Sequence, residues 1–137
     1  MVIEYRRPVP EPDEDTRDFW EGCKRHQLVL KHCTDCGYYI HPPKQRCPKC
    51  LSTNIDNDQV SGRGTIYSYT IVHTETAPGF TPPYNVALVA LEEQEDIRLM
   101  SNIVDCSQEQ IKIGLSVEVA FQDVTEDVSI PLFRPRI

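Results

Sequence analysis

A chain of 137 residues with a net charge of −7 has room for one ordinary domain, or for a small domain plus a metal-stapled module. That charge argues against non-specific nucleic-acid binding, whose affinity comes from counterions released when basic residues meet phosphates. No stretch approaches the ~20 apolar residues of a membrane-spanning helix, and the polar start Met1-Val-Ile-Glu-Tyr-Arg-Arg-Pro8 does not resemble a secretory signal, so the expected location is cytoplasmic with no membrane partner.

Residues 1–28 read as an arm followed by a helix. Pro8, Pro10 and Pro12 keep residues 1–12 extended. Asp13, Glu14, Asp15 and Thr16 then supply a capping group and negative charge where a helix dipole favours both. Phe19, Trp20 and Cys23 follow at helical spacing, with Lys24 and Arg25 at the far end, which predicts a helix over 13–26. Such a helix either packs on its own domain or faces a partner. Cys23 within it reads as a small buried apolar residue.

Residues 29–58 hold the strongest motif: Cys33-Thr-Asp-Cys36, ten intervening residues, then Cys47-Pro-Lys-Cys50. Two thiolates three positions apart can bind one ion from a single tight turn, and a second turn completes a tetrahedral Zn²⁺ shell. Gly37 suits the chain reversal after the first pair, and Pro48 fixes one backbone angle in the second. Gln27 to His32 predicts a strand into the first knuckle and Tyr38 to Ile40 a returning strand, with His41-Pro42-Pro43 as the turn after it and Leu51 to Asp58 as polar connecting chain. A rubredoxin-type iron site uses the same four thiolates; disulfides fit poorly with a cytosolic chain. Catalytic zinc keeps one position open for water, whereas four cysteines close the shell, so the metal is structural. His26, His32 and His41 read as surface or supporting groups.

Residues 59–137 change character. Strands are predicted over Thr65–His73, Tyr84–Leu91, Ile97–Val104, Ser116–Val124 and Val128–Phe133, with one helical turn at Ser107–Gln110. Five strands with a helical turn between the third and fourth suggest a small, partly open barrel: an OB-fold, or another small Greek-key barrel. The fold class is therefore mainly β, with an N-terminal helix, a four-cysteine ribbon and a five-stranded barrel. The usual equipment of catalysis is missing. His73 is the only histidine of this region and Cys106 its only thiol, and the carboxylates at 92, 93, 95 and 96 read as a solvated turn. Tyr67, Tyr69 and Phe80 could stack on bases, but residues 62–133 carry only Arg63, Arg98 and Lys112 as basic groups. Two rival functions stand beside these residues: a free-standing small hydrolase using His73 or, by the resemblance given below, a stand-alone acyl-CoA-binding protein, and a nucleic-acid-binding barrel.

The order of parts carries a resemblance. Phe19-Trp20-Glu21-Gly22 precedes Cys33, Cys36 and Gly37, then His41-Pro42-Pro43, then Cys47, Pro48 and Cys50, then Ser61-Gly62-Arg63-Gly64-Thr65-Ile66-Tyr67-Ser68, and finally Pro131-Leu132-Phe133-Arg134-Pro135. This order resembles the DUF35 family, which joins a rubredoxin-like zinc ribbon to an OB-fold. The resemblance covers nearly the whole chain. It implies a non-catalytic partner of thiolase-superfamily enzymes, such as acetyl-CoA acetyltransferases and the thiolase-like aldolases that cleave steroid side-chain CoA esters. It implies Zn²⁺ at Cys33, Cys36, Cys47 and Cys50, no catalytic residues, acyl-CoA at or near the shared site, and a two-plus-two assembly. Arg63, Tyr67, Phe80, Arg98, Leu132, Phe133 and Arg134 are the candidate ligand or partner contacts, with Phe80 as the loop-tip residue reaching the partner. Leu132 and Phe133 serve equally as closing residues of their own barrel.

Overall fold

In the computed structural model, which describes residues 7–136, the helix begins later than its sequence suggests. Asp13 Oδ1 accepts the amides of Asp15 and Thr16, both at 2.9 Å, while Thr16 Oγ1 accepts the Asp13 amide at 3.0 Å. These bonds spend residues 13–16 on a turn, and α1 runs only from Arg17 to Lys24. Asp13 is thereby held below the usual carboxylate range, first by the Thr16 amide. Phe19, Gly22 and Cys23 are its buried face. Gly22 is needed for close approach, because a Cβ there would lie 2.8 Å from Val29 Cγ2. The helix thus packs on its own body, with Phe19 and Cys23 in the main core. Residues 1–6 of the expected arm, and residue 137, lie outside the described residues.

Strand β1 (Val29–Cys33) links two cores. Leu30, just after Leu28, joins Phe19 and Cys23 in the main core, whereas Cys33 sits with Ile40 and Cys47 in a small second one. Around it stand β2 (Tyr39–Ile40) and β3 (Ile55–Gln59), in the order β2-β1-β3. β3 corrects the reading of residues 51–58 as connecting chain. It pairs antiparallel with β1 from Val29↔Gln59 to Cys33↔Ile55. Its sequence Ile-Asp-Asn-Asp-Gln has no apolar alternation, because it is held by backbone pairing and by polar side chains. Asp56 meets His32 Nδ1 at 3.1 Å, Asn57 donates to Asp18 at 3.0 Å, and Asp58 accepts the Tyr39 hydroxyl. The Asp58 carboxylate pushes the Tyr39 phenol up to about 12.

The barrel strands are β4 (Arg63–Val72), β5 (Tyr84–Leu91), β6 (Arg98–Ser101), β7 (Ser116–Asp123) and β8 (Ser129–Pro135), in the order β6-β5-β4-β7-β8. A single 3₁₀ turn at Gln108–Gln110 stands between β6 and β7. β5 alternates half-buried and buried residues along its whole length, sending Ala87, Val89 and Leu91 inward. The third barrel strand stops earlier than expected, at Ser101, because the chain then turns to close the barrel. Ile103 bridges Phe133 in parallel, the Val104 amide donates to Phe133 O at 2.8 Å, and the Phe133 amide donates to Asn102 O at 3.2 Å.

Asn85 locks that closure. Its Oδ1 accepts the Ile103 amide at 2.6 Å, and its Nδ2 donates to Ile103 O at 2.9 Å and Gln108 Oε1 at 3.1 Å. Among the described residues it is one of two buried polar ones, and only 6% exposed. Asn85→Ala leaves the enclosed Ile103 N–H and C=O without partners. The expected cost is about 2–3 kcal/mol, read as a lower urea midpoint with the zinc content unchanged.

The turn after β5 is not simply solvated. Gln94 clamps the ribbon to the barrel: its Oε1 accepts the Tyr39 amide at 2.9 Å and its Nε2 donates to Tyr39 O at 3.0 Å. Asp96 accepts the Tyr38 hydroxyl at 2.8 Å, and Glu93 accepts the Ser61 amide at 2.7 Å.

Candidate functional site

The four cysteine sulfurs lie within 4.8 Å of one another. Cys33 Sγ stands 3.5 Å from Cys50 Sγ, and Cys36 Sγ 3.6 Å from Cys47 Sγ. A tetrahedral ion with Zn–S bonds of ~2.3 Å requires sulfurs about 3.8 Å apart, so the cluster is of the right size. The two knuckles repeat each other. The Gly37 amide donates to Cys33 O and the Leu51 amide to Cys47 O, both at 2.9 Å; Cys33 N donates to Tyr38 O and Cys47 N to Ser52 O, again at 2.9 Å. The residue after each pair takes left-handed backbone, with φ of 80° at Gly37 and 65° at Leu51. Glycine meets that demand freely in the first knuckle; leucine meets it under strain in the second.

Electrostatics point the same way. The backbone amide of Cys36 lowers the Cys33 thiol. Burial pushes Cys47 up, but the amides of Cys50 and Lys49 outweigh it and hold this thiol at about 7. Cys36 and Cys50 go the other way, Cys50 to about 12: backbone amides lower each of them, but desolvation and then the neighbouring sulfurs outweigh those amides. Four thiolates this close need a divalent cation, and backbone N–H groups already reach all four of them. The donor set fits zinc, closes its shell, and serves the ribbon's architecture. Cys23 is fully buried in the main core, pushed up to about 12 by that burial, and takes no part in the cluster.

The other candidate residues scatter over the barrel. Arg63 pairs with Glu92 at 3.2 Å and Arg134 with Glu118 at 3.3 Å, both across exposed sheet positions. The Arg98 guanidinium lies over the Tyr67 ring, 3.8 Å from its centroid. Phe80 is no free loop tip: it is half-buried between the Arg7 guanidinium, 4.4 Å from its centroid, and Tyr84, 5.4 Å away. Phe133 is wholly buried in the main core and closes the barrel, so it offers no surface to a partner. Leu132 is half-buried between two depressions. One is a cleft of about 600 Å³ beside the 74–83 loop, where Arg7 donates to Gly79 O and Asn102 Oδ1. The other is an apolar groove of about 380 Å³ between α1, the His41-Pro42-Pro43 turn and β6/β8. His73 is exposed, with no side-chain hydrogen bond among the described residues.

His41, read from the sequence as a surface or supporting group, is half-buried against α1. Its ring stands 5.4 Å from that of Phe19, and its Nδ1 is enclosed with no partner among the described residues. Burial lowers its pKa. A depressed folded value means that the unfolded chain binds more protons below its ordinary ~6.5. Stability from this group is full above that value and is lost as pH falls from there toward the folded pKa. His41→Phe is expected to flatten this part of the acid slope, measured as the difference in urea midpoint between about pH 7.5 and about pH 5.5.

Comparison with known proteins matches both halves. Residues 20–56 match the ChsH2 rubredoxin-like zinc ribbon domain, and residues 58–122 the ChsH2 C-terminal OB-fold domain. A DUF35 domain-containing scaffold protein of Methanocaldococcus jannaschii is 36% identical, over 79% of this chain and 77% of the relative. The chain belongs to the DUF35 family. Its barrel is accordingly an OB-fold and its ribbon a zinc ribbon. A DUF35 chain solved in the Ltp2-ChsH2(DUF35) aldolase superposes with a TM-score of 0.84 at 35% identity, over 92% of this chain and 98% of that one. A probable enoyl-CoA hydratase alpha subunit of Thermomonospora curvata is 35% identical over 96% of this chain. The present chain spans only 40% of that relative's length. Among the described residues no helix is long and apolar enough to cross a membrane.

Proposed function

We propose that this chain is the non-catalytic accessory subunit of a thiolase-like enzyme, a thiolase or thiolase-like aldolase, stabilising it and shaping its acyl-CoA site. The observation that carries this reading is the near-complete superposition on the DUF35 chain of a two-protein aldolase. Zinc builds the ribbon, and the ribbon is clamped to the barrel through Gln94, so both move as one docking body. The three parts, 1–28, 29–58 and 59–137, then act as arm and helix, metal-stapled ribbon, and barrel. Acyl-CoA lies at or near the shared surface, the assembly is a two-plus-two heterotetramer in the cytoplasm, and no nucleic acid takes part. Among the candidate contacts, Arg98 and Tyr67 keep exposed positions suited to a partner.

The test is affinity purification of the tagged chain from its native cells, with mass spectrometry of what accompanies it and light scattering of the purified assembly. A thiolase-superfamily subunit at equal stoichiometry is the expected result. A chain that purifies alone, with turnover of acyl-CoA esters that His73→Ala abolishes, would overturn the reading.

A further inference from the structure

β4 is the longest strand of the barrel, and half of one edge is bare. It pairs with β7 only at Arg63, Gly64 and Thr65. Ile66 then exchanges bonds with the loop before β7, its amide donating to Leu115 O at 3.0 Å and its carbonyl accepting the Gly114 amide at 2.8 Å. Tyr67 is the extra residue of a bulge, where the register shifts between Ile66 and Ser68; from Ser68 to Val72, β4 pairs with β5 alone, and from Tyr67 on no backbone group among the described residues bonds its other edge. Barrels close to remove such edges, and exposed edges are ordinarily blunted with charge or proline. This one reads Tyr-Ser-Tyr-Thr-Ile-Val, with neither, and its one irregularity is the bulge at Tyr67, after which Ser68 to Val72 run on in regular register with β5.

The sheet face beside it is largely apolar and partly exposed. Ser68, Leu88 and Met100 stand in one row across β4, β5 and β6, with Val86 and Ala90 in the neighbouring rows. Met100 is 72% exposed, Ile113 69% and Tyr67 50%, three of the largest apolar exposures on the molecule. Charge is segregated there too. None of the chain's 21 acidic residues falls within 66–73, 84–91, 98–101 or 111–114, which carry Arg98 and Lys112. Arg98 is held on the Tyr67 ring and has no carboxylate within salt-bridge distance among the described residues.

We propose that the Tyr67–Val72 edge and the adjoining face receive an extended strand of the partner enzyme subunit by strand addition. That strand is uncharged along the edge and carries a carboxylate for Arg98. The occupant follows from three features. Bare N–H and C=O groups in a row, left to water in the free chain, match in spacing the groups of another extended backbone. A cationic rim in an acidic chain selects an acidic neighbour. A second copy would bring −7 against −7 and set Arg98 and Lys112 against their own kind.

This rests on the accessory-subunit reading above, and the experiment separates the two. The chain is purified with the thiolase-superfamily subunit that accompanies it, and amide exchange is compared between that complex and the free chain. Amides within 67–72 that face away from β5 are expected to exchange at least about ten-fold more slowly in the complex. Arg98→Glu and Tyr69→Lys, both at exposed positions, are each expected to weaken the complex about ten-fold or more while the free chain keeps its melting temperature. A complex that forms with 67–72 unprotected, or that tolerates both variants, overturns this docking face and leaves the accessory role standing. Protection in the free chain together with a dimer mass assigns the edge to a second copy and also overturns it. Failure to recover any thiolase-superfamily subunit removes both readings together.

Discussion

Stripping zinc with a tight chelator is expected to unfold the knuckles and β2 while the main core persists. The ribbon's own core consists of Cys33, Ile40 and Cys47, with Tyr38 and Ile55 packed against it. So few apolar groups cannot offset the entropy of ordering some twenty residues, at roughly 1–2 kcal/mol each. Zinc supplies the difference; binding free energies of about 10–16 kcal/mol are usual for small structural sites. Cys47→Ser removes the thiol held at about 7, one of the two most readily ionised, and is expected to drop bound zinc to near zero. Amide exchange within 34–54 would then approach that of an unstructured chain, whereas Val89 and Val117 stay protected. Retained protection of Gly37 and Leu51 without metal would mean that the hairpins fold by themselves.

The second large effect is expected at Phe133. Truncation to alanine removes a wholly buried ring from the main core, beside the Ile103 bridge that closes the barrel. The expected cost is about 3–5 kcal/mol, from lost transfer energy plus the cavity left behind. It should show as a much lower urea midpoint with full zinc content, the reverse of the pattern for Cys47→Ser. A Phe133→Ala chain that kept its stability and lost only partner binding would return this residue to the list of partner contacts.

The two variants also mark where sequence reading succeeds and where it stops. The cysteine spacing announced the zinc ribbon, since both members of each pair sit within one turn and their chemistry is local. β5 was legible from end to end because Tyr84 to Leu91 is a short, mostly apolar run bounded by Pro83 and the acidic turn after Leu91. β3 was not legible. Its residues are polar, and it is a strand because β1 lies beside it and Asp18, His32 and Tyr39 take its side chains. The acidic turn after β5 misled for a related reason: carboxylates and amides look alike in sequence whether water or another segment receives them. Gln94 meets Tyr39 across 55 positions of sequence.

By itself, then, the sequence determined the four-thiolate metal site, the order of parts and the β character of the barrel. These depend on side-chain type at short, fixed intervals, where ligand geometry and the strand period act directly. Only the tertiary structure decided that α1 packs inward, that Phe133 closes the barrel while Arg98 stays free on Tyr67, and that β4 leaves β7 after Thr65. Each of these depends on which distant segments compete for the same backbone groups or the same core volume, and that competition is resolved only when the whole chain is folded.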